Sequence, residues 1–329
     1  MSSSPRALIC GVSGQDGAYL SKFLLDRGYE VHGTSRDAGT ADLRNFDRLE
    51  IAGQISVSSM SPTDLRSVLA ITQQVRPTEI YNLSGQSSVS LSFDQPVETI
   101  ESISVGTLNL LEAIRFSKLP IRFYSAGSGE VFGDTGGTPA DELTRFAPRS
   151  PYAVAKAAAY WSVANYREGY GLYACTGILF NHESPLRPER FVTRKIVAAA
   201  CRIAQGSDET LVLGDMDIAR DWGFAGDYVE AMWRMLQQDK PGDFVIATGK
   251  THTLREFVSE AFSGVGLDWN EHVRTDPALY RPTEIRRTAA NPSQASRTLG
   301  WKSQHDLSDL VRMMVAAESS QIKESSLLP

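Results

Sequence analysis

The feature that most limits how this chain can fold is an alternation of short, nearly continuous apolar runs with longer helical patterns. ALICGV (7–12), EVHGTS (30–35), QISVSS (54–59), EIYNLS (79–84), RFYSAG (122–127) and YACTGILF (173–180) read as strands. Helical spacing predicts segments near 18–28, 62–75, 97–117 and 152–169 between them. Strands with little polar alternation are those of a parallel sheet covered on both faces. The rhythm therefore predicts an α/β fold, a doubly wound parallel sheet of the Rossmann type with right-handed crossovers.

After residue 180 the rhythm changes. NHESPLRPERF is rich in proline, arginine and glutamate and reads as loop. Helices are predicted near 191–206, 226–239, 253–264 and 305–317, with short strands at TLVLG and DFVIATG. The expected division is a dinucleotide-binding unit over residues 1–180, rejoined by 216–263 and 300–318. A smaller mixed α/β C-terminal substrate lobe is expected from 181–215 and 264–299, packed on the carboxyl edge of the sheet. Residues 319–329 are expected to be a polar, frayed tail.

A net charge of -6 argues against nucleic acid as a partner. The three cysteines, Cys10, Cys175 and Cys201, are odd in number and far apart, which supports neither a disulfide framework nor a metal site. MSSSPR lacks an apolar signal region, and no apolar run approaches the ~20 residues of a membrane span. These features predict a cytoplasmic protein with no membrane partner.

The first strand runs into GVSGQDGAYL, which carries Gly11, Gly14 and Gly17. Glycines between a strand and a helix permit a tight turn, close approach of a phosphate, and close helix–strand packing. The helix that follows aims its free N–H groups and positive dipole end at a pyrophosphate. The second strand ends in Ser35, Arg36 and Asp37. An acidic residue there holds a ribose diol and an arginine accepts a 2′-phosphate. Arg36 comes first, so NADP is expected, with NAD as the alternative.

In SPYAVAKAAAYW, Tyr152 and Lys156 are four residues apart and share one helix face. A phenol is a poor base unless its ionised form is stabilised, and an ammonium beside it does that. Tyr152 can then take the proton of a sugar hydroxyl whose carbon gives up hydride. The fifth strand ends in RFYSAGSGEVFG, at the sheet edge where ligands of open α/β folds bind. Ser128 can bond the oxygen being oxidised. Glu130 supplies a second base for a proton on the neighbouring carbon. That favours elimination over plain reduction or epimerisation, without excluding them.

At these residues the sequence resembles the extended short-chain dehydrogenase/reductase superfamily, and within it the GDP-mannose 4,6-dehydratase family. The resemblance spans roughly 7–315 and rests on GVSGQDGAYL, EIYNLSGQSSVSLSF, PRSPYAVAKAAAYW, GILFNHESPLRPERFVTRKI, RDWGFAGDYVEAMWRML and YRPTEIR. It implies Tyr152 as the C4 base with Lys156 as its partner, Ser128 in the place of a threonine, and Glu130 as the C5 base. It further implies cofactor contacts from Gly11, Gly14, Gln15, Asp16, Gly17, Arg36, Leu83, Ser84, Gln86, Leu179, Asn181 and His182, besides Tyr152 and Lys156. Implied substrate contacts are Ser87, Asn181, Glu183, Arg187, Val192, Thr193, Lys195, Arg220, Arg281 and Glu284. The arginines are suited to a diphosphate, and Glu284 to a ribose hydroxyl. The family implies a GDP-sugar substrate, no metal, and a homodimer or homotetramer built through sheet-domain helices.

Four departures stand out. Gly129 replaces a serine beside the reacting centre, which bears on C6 protonation or sugar choice. Ser59 stands where an adenine-holding aspartate is usual, and Asp37 where the family has a second arginine. Arg286 and Arg287 add positive charge near the expected nucleotide pocket.

Overall fold

A computed structural model describes residues 4–326. Six of the strands are β1 (Arg6–Cys10), β2 (Glu30–Ser35), β3 (Ser56–Ser59), β4 (Glu79–Asn82), β5 (Arg122–Ala126) and β6 (Ala174–Leu179). A seventh strand, Phe244–Ile246, drawn from DFVIATG, joins them, and every neighbouring pair is parallel. The sheet order is Phe244–Ile246, β6, β5, β4, β1, β2, β3. The chain order reverses between β1 and β4, and a crevice forms at such a switch point beyond the strands' carboxyl ends.

Successive side chains of a strand face opposite ways, and the cores follow that rule. Ala7, Ile9, Tyr81, Tyr124 and Cys175 enter one core with the helices Gln15–Leu25 and Ala225–Leu236. Leu8, Cys10, Ile80, Phe123 and Ala174 enter the other with the helices Leu65–Val75, Gly106–Ser117 and Pro151–Tyr170. The single helix expected over 97–117 is divided: Pro96–Ile100 and Gly106–Ser117 flank a π turn, Glu101–Val105. The helix expected from 18 begins at Gln15, directly after the glycine turn.

A further core is built by the helices Val192–Ala204, Leu254–Ser263 and Leu307–Ser326, with the parallel strands Leu211–Leu213 and Val273–Thr275. Stretches 253–263 and 305–318, expected to rejoin the sheet unit, put Phe257, Phe262, Leu310 and Met314 into this core. Truncating such a buried phenylalanine to alanine costs about 3–5 kcal/mol.

The frayed tail over 319–329 is not what the described residues show, since the last helix runs to Ser326. Three side-chain interactions hold its outer turns. Glu318 pairs with the equally buried Arg194, Ser319 meets the Cys201 thiol, and Ile322 packs on the core. The last three residues of the expected tail lie outside the described residues. Among the described residues, no helix is long and apolar enough to cross a membrane.

Candidate active site

The glycine turn is shaped by what it excludes. Gly11 has φ +83, and a Cβ on it would lie 3.0 Å from the Leu83 carbonyl at the end of β4. A Cβ on Gly17 would fall 2.5 Å from the Val12 carbonyl oxygen. Gly14 caps the helix without a side-chain hydrogen bond, leaving the first-turn N–H groups available to an anion. Two positions that tolerate no side chain, beside an uncapped helix start, fit a dinucleotide pyrophosphate.

Asp16 and His182, 166 positions apart, fasten this turn to the segment after β6. The carboxylate stands 2.8 Å from His182 Nε2, and His182 Nδ1 stands 2.8 Å from the Phe180 carbonyl. Both ring nitrogens face acceptors, and although burial pulls the His182 pKa down, Asp16 and the Phe180 carbonyl raise it overall, which favours the doubly protonated ring. Gln15 donates to Asp16 and to the His182 carbonyl, and Ser184 donates to Gln15. Burial alone would raise the Asp16 carboxyl, but His182, Gln15 and Arg187 bring it down to about 2. The His182 ring stacks on Tyr228 at 4.7 Å. Sequence spacing gave no sign of this pair.

Helix Pro151–Tyr170 presents the tyrosine and lysine. Ser150 caps it by accepting from the Ala153 N–H at 3.1 Å, Pro151 opens it, and Gly171 closes it at φ +67. Tyr152 is thus fixed in the first turn. Ala155 and Ala159, being small, let the helix lie against Ile103. The Lys156 ammonium is 5.7 Å from the Tyr152 ring centroid and donates to the Ala126 carbonyl at 2.7 Å. Burial pushes Lys156 down to about 8, against the pull of Asp16. Burial also pushes the Tyr152 phenol up to about 12, while a hydrogen bond with Ser128 opposes the rise and Glu130 adds to it.

Ser128 follows β5 and caps a short 3-10 turn, Gly129–Phe132, by accepting from the Glu130 N–H at 3.3 Å. That turn carries Glu130 toward Tyr152 on one side and Arg220 on the other, both of which feel its charge. Gly129 is buried, and a Cβ there would meet the Phe180 ring at 3.0 Å. Arg220 is 4% exposed and pairs with Glu284 at 3.2 Å, while Arg281 approaches the same carboxylate oxygen at 3.8 Å. Arg220, Glu284 and Arg281 therefore form one ion-paired cluster, and the charge of Glu130 acts both on its Arg220 member and on Tyr152. Glu183 accepts from Thr193 at 2.8 Å and pairs with Arg187 at 3.0 Å, beside Val192 at the start of its helix. Asn181 begins the short strand Asn181–Glu183, which pairs with Trp222–Phe224, and Leu179 is buried at the end of β6.

Other expected residues stand apart. Arg36 is 84% exposed and reaches Glu98 at 3.6 Å. The Lys195 ammonium donates to the Val212 carbonyl at 2.8 Å. The Gln86 amide folds back onto Ser88 and Thr99, Ser84 donates to Asn82, and Ser87 is exposed. Ser59, at the end of β3, accepts from the Ala38 N–H in the loop after β2, and Asp37 accepts from the Gly39 N–H within that same loop, so both side chains have backbone partners. Arg286 and Arg287 are exposed, and their backbones join the loop at Asp134 and Thr135 to the strand at Ala219.

The family model for GDP-mannose 4,6 dehydratase matches residues 8–314. GDP-mannose 4,6 dehydratase 1 of Arabidopsis thaliana is 45% identical, over 98% of this chain and 92% of its own. The GDP-mannose 4,6-dehydratase of Yersinia enterocolitica is 44% identical, over 98% and 96%. Among solved structures, the Thermus thermophilus UDP-glucose 4-epimerase in complex with NAD superposes with a TM-score of 0.84 at 27% identity, covering 95% of this chain and 98% of that one. DesIV, a dTDP-glucose 4,6-dehydratase of Streptomyces venezuelae, shares the fold with a TM-score of 0.87 at 21% identity, over 97% and 98%. With nearly the whole chain matched, this protein belongs to the GDP-mannose 4,6-dehydratase family.

Proposed function

We propose that this chain converts GDP-D-mannose to GDP-4-keto-6-deoxy-D-mannose, as a hydro-lyase that uses a nicotinamide dinucleotide without net consumption. The observation that carries the proposal is the meeting of two bases. Tyr152 opens one helix and Glu130 lies on the turn after β5, with the Glu130 charge and the Ser128 hydroxyl both acting on the phenol, which supports their working on one sugar.

Tyr152 takes the proton of the sugar O4 while Ser128 holds that oxygen. A nicotinamide bound at this site would supply the hydride acceptor for C4 and the hydride donor for C6. The 4-ketone acidifies C5–H, and Glu130 removes that proton. The C6 hydroxyl then departs as water. Tyr152 and Glu130 gather two protons, and two are needed, one on the departing hydroxyl and one returned to C5. Lys156 favours the ionised phenol through its charge.

The glycine turn, the uncapped helix start and the Asp16–His182 pair are the proposed cofactor seat, joined by Gly11, Gly14, Gln15, Gly17 and Leu83. The NAD-bound Thermus thermophilus relative supports a nicotinamide dinucleotide. Arg36 supports NADP, because a guanidinium at the end of the second strand suits a 2′-phosphate. A homo-oligomer is supported by apolar side chains left exposed on neighbouring helices. They are Val97 and Ile100 on one helix, and Val154 and Trp161 on the helix that carries Tyr152.

The test is incubation of the purified protein with GDP-mannose and NADP⁺, followed by mass spectrometry. Loss of one water from the nucleotide sugar is expected. An unchanged sugar would contradict the proposal.

A further inference from the structure

Arg220 and Arg281 come from distant segments, yet both are served by a single carboxylate. Glu284 Oε1 lies 3.2 Å from Arg220 Nη2 and 3.8 Å from Arg281 Nη1. Arg220 is 4% exposed, and its other side-chain hydrogen bond goes from Nη1 to the backbone carbonyl of Ala219 at 3.0 Å. A guanidinium buried this deeply needs a counter-charge, since losing the partner of a buried pair is strongly destabilising. Glu284 supplies it, together with Glu130, whose charge also acts on Arg220. Arg281 is steadied from the other side by donating to the Ser90 hydroxyl at 3.2 Å.

This arrangement sets Glu284 in opposition to any phosphate. An anion seated between the two arginines would meet a carboxylate there, and like charges at that range repel. A bare phosphate or diphosphate brings nothing to draw the carboxylate away. A nucleoside diphosphate also brings a ribose diol, two O–H donors that a carboxylate accepts well.

We propose that Glu284 is a specificity-determining residue that guards the Arg220–Arg281 pair and yields it only to a ligand carrying a diphosphate and a ribose diol together. The carboxylate serves as counter-ion in the free protein and as diol acceptor in the complex. The site thereby rejects free inorganic phosphate, inorganic diphosphate and simple sugar phosphates. This inference rests on the reading that these arginines receive the diphosphate of the nucleotide sugar.

The test compares calorimetric binding of inorganic diphosphate and of GDP to the wild-type protein and to Glu284→Gln. The variant removes the competing charge and keeps the shape. Diphosphate is expected to bind the variant roughly tenfold tighter, equivalent to about 1.4 kcal/mol, while GDP gains far less because its ribose loses an ionised acceptor. The preference for GDP over diphosphate therefore narrows. Unchanged or weaker diphosphate binding by the variant, with wild-type GDP binding intact, overturns the guard while leaving the diphosphate reading in place. Failure of the wild-type protein to bind GDP overturns both. A crystal structure of the wild-type protein with GDP gives an answer that does not depend on the variant folding. Glu284 is expected on the ribose with a phosphate oxygen on Arg220, and a carboxylate still seated on Arg220 would refute the proposal.

Discussion

Lys156 passes beneath the Tyr152 ring, 5.7 Å from its centroid, and anchors on the Ala126 carbonyl at 2.7 Å. The backbone at the end of β5 thus fixes where the ammonium stands relative to the phenol. Burial draws Lys156 down to about 8, so its charge is present below that pH and is lost as pH rises through it. Without that charge the phenol, already pushed up to about 12 by burial, loses a neighbouring cation that favours its ionised form. The pH profile of kcat/KM is expected to show an alkaline fall with a midpoint near 8. Lys156→Met should remove that limb and lower the rate on the order of a hundredfold. A limb that survives in the variant would assign it to another group.

The glycines of the first turn separate into two kinds. A Cβ at Gly17 would lie 2.5 Å from the Val12 carbonyl, whereas at Gly14 the nearest atom is 3.5 Å away and φ is -71. Gly17→Ala should lower the Tm by several degrees, because backbone must move. Gly14→Ala should leave the Tm within about a degree or two yet weaken dinucleotide binding on the order of tenfold, if the turn is the pyrophosphate seat proposed above. Thermal melts and fluorescence titration with NADPH distinguish the two effects.

The Asp16–His182 pair makes a prediction about acid stability. Asp16 is held near 2, below its ordinary 3.8. Its folded-state value is depressed, so its contribution is complete above pH 3.8 and is lost as pH falls toward 2. The size is about 2 kcal/mol. Asp16→Asn should lower stability at neutral pH and flatten the denaturant midpoint against pH between 4 and 2. An unchanged slope in the variant would place the acid sensitivity elsewhere.

Much of this fold could be read from local pattern, because parallel strands buried on both faces are apolar whatever their neighbours do. The glycine turn, Tyr152, Lys156 and Glu130 were legible for a related reason, since each sits at a strand end or on a helix face that spacing defines. Contacts across the chain were not legible. His182 meets Asp16 across 166 positions and Glu284 meets Arg220 across 64, and no periodicity encodes such a meeting. The π turn at Glu101–Val105 was hidden because its side chains keep a helical texture. The polar sequence near the C-terminus read as frayed because its anchors, Arg194 and Cys201, lie on a distant helix.

Arg36 offers a test of cofactor choice. It is exposed, and among the described residues its side-chain partner is Glu98 at 3.6 Å, a contact long enough to give way to a 2′-phosphate. Arg36→Ala should weaken NADP binding by roughly ten- to a hundredfold, as expected for loss of a charged hydrogen bond of about 1.5–3 kcal/mol. NAD binding should be unchanged. Equal losses for both dinucleotides, measured by titration, would remove Arg36 from cofactor selection.

The account depends most on Glu130 acting at C5 after Tyr152 has acted at C4. The direct measurement is a single-turnover reaction of Glu130→Gln with bound NADP⁺ and GDP-mannose, followed by reduced-nicotinamide absorbance and by mass spectrometry. The account predicts reduced nicotinamide that accumulates and persists, with no loss of water from the sugar. Dehydration at the wild-type rate would contradict it.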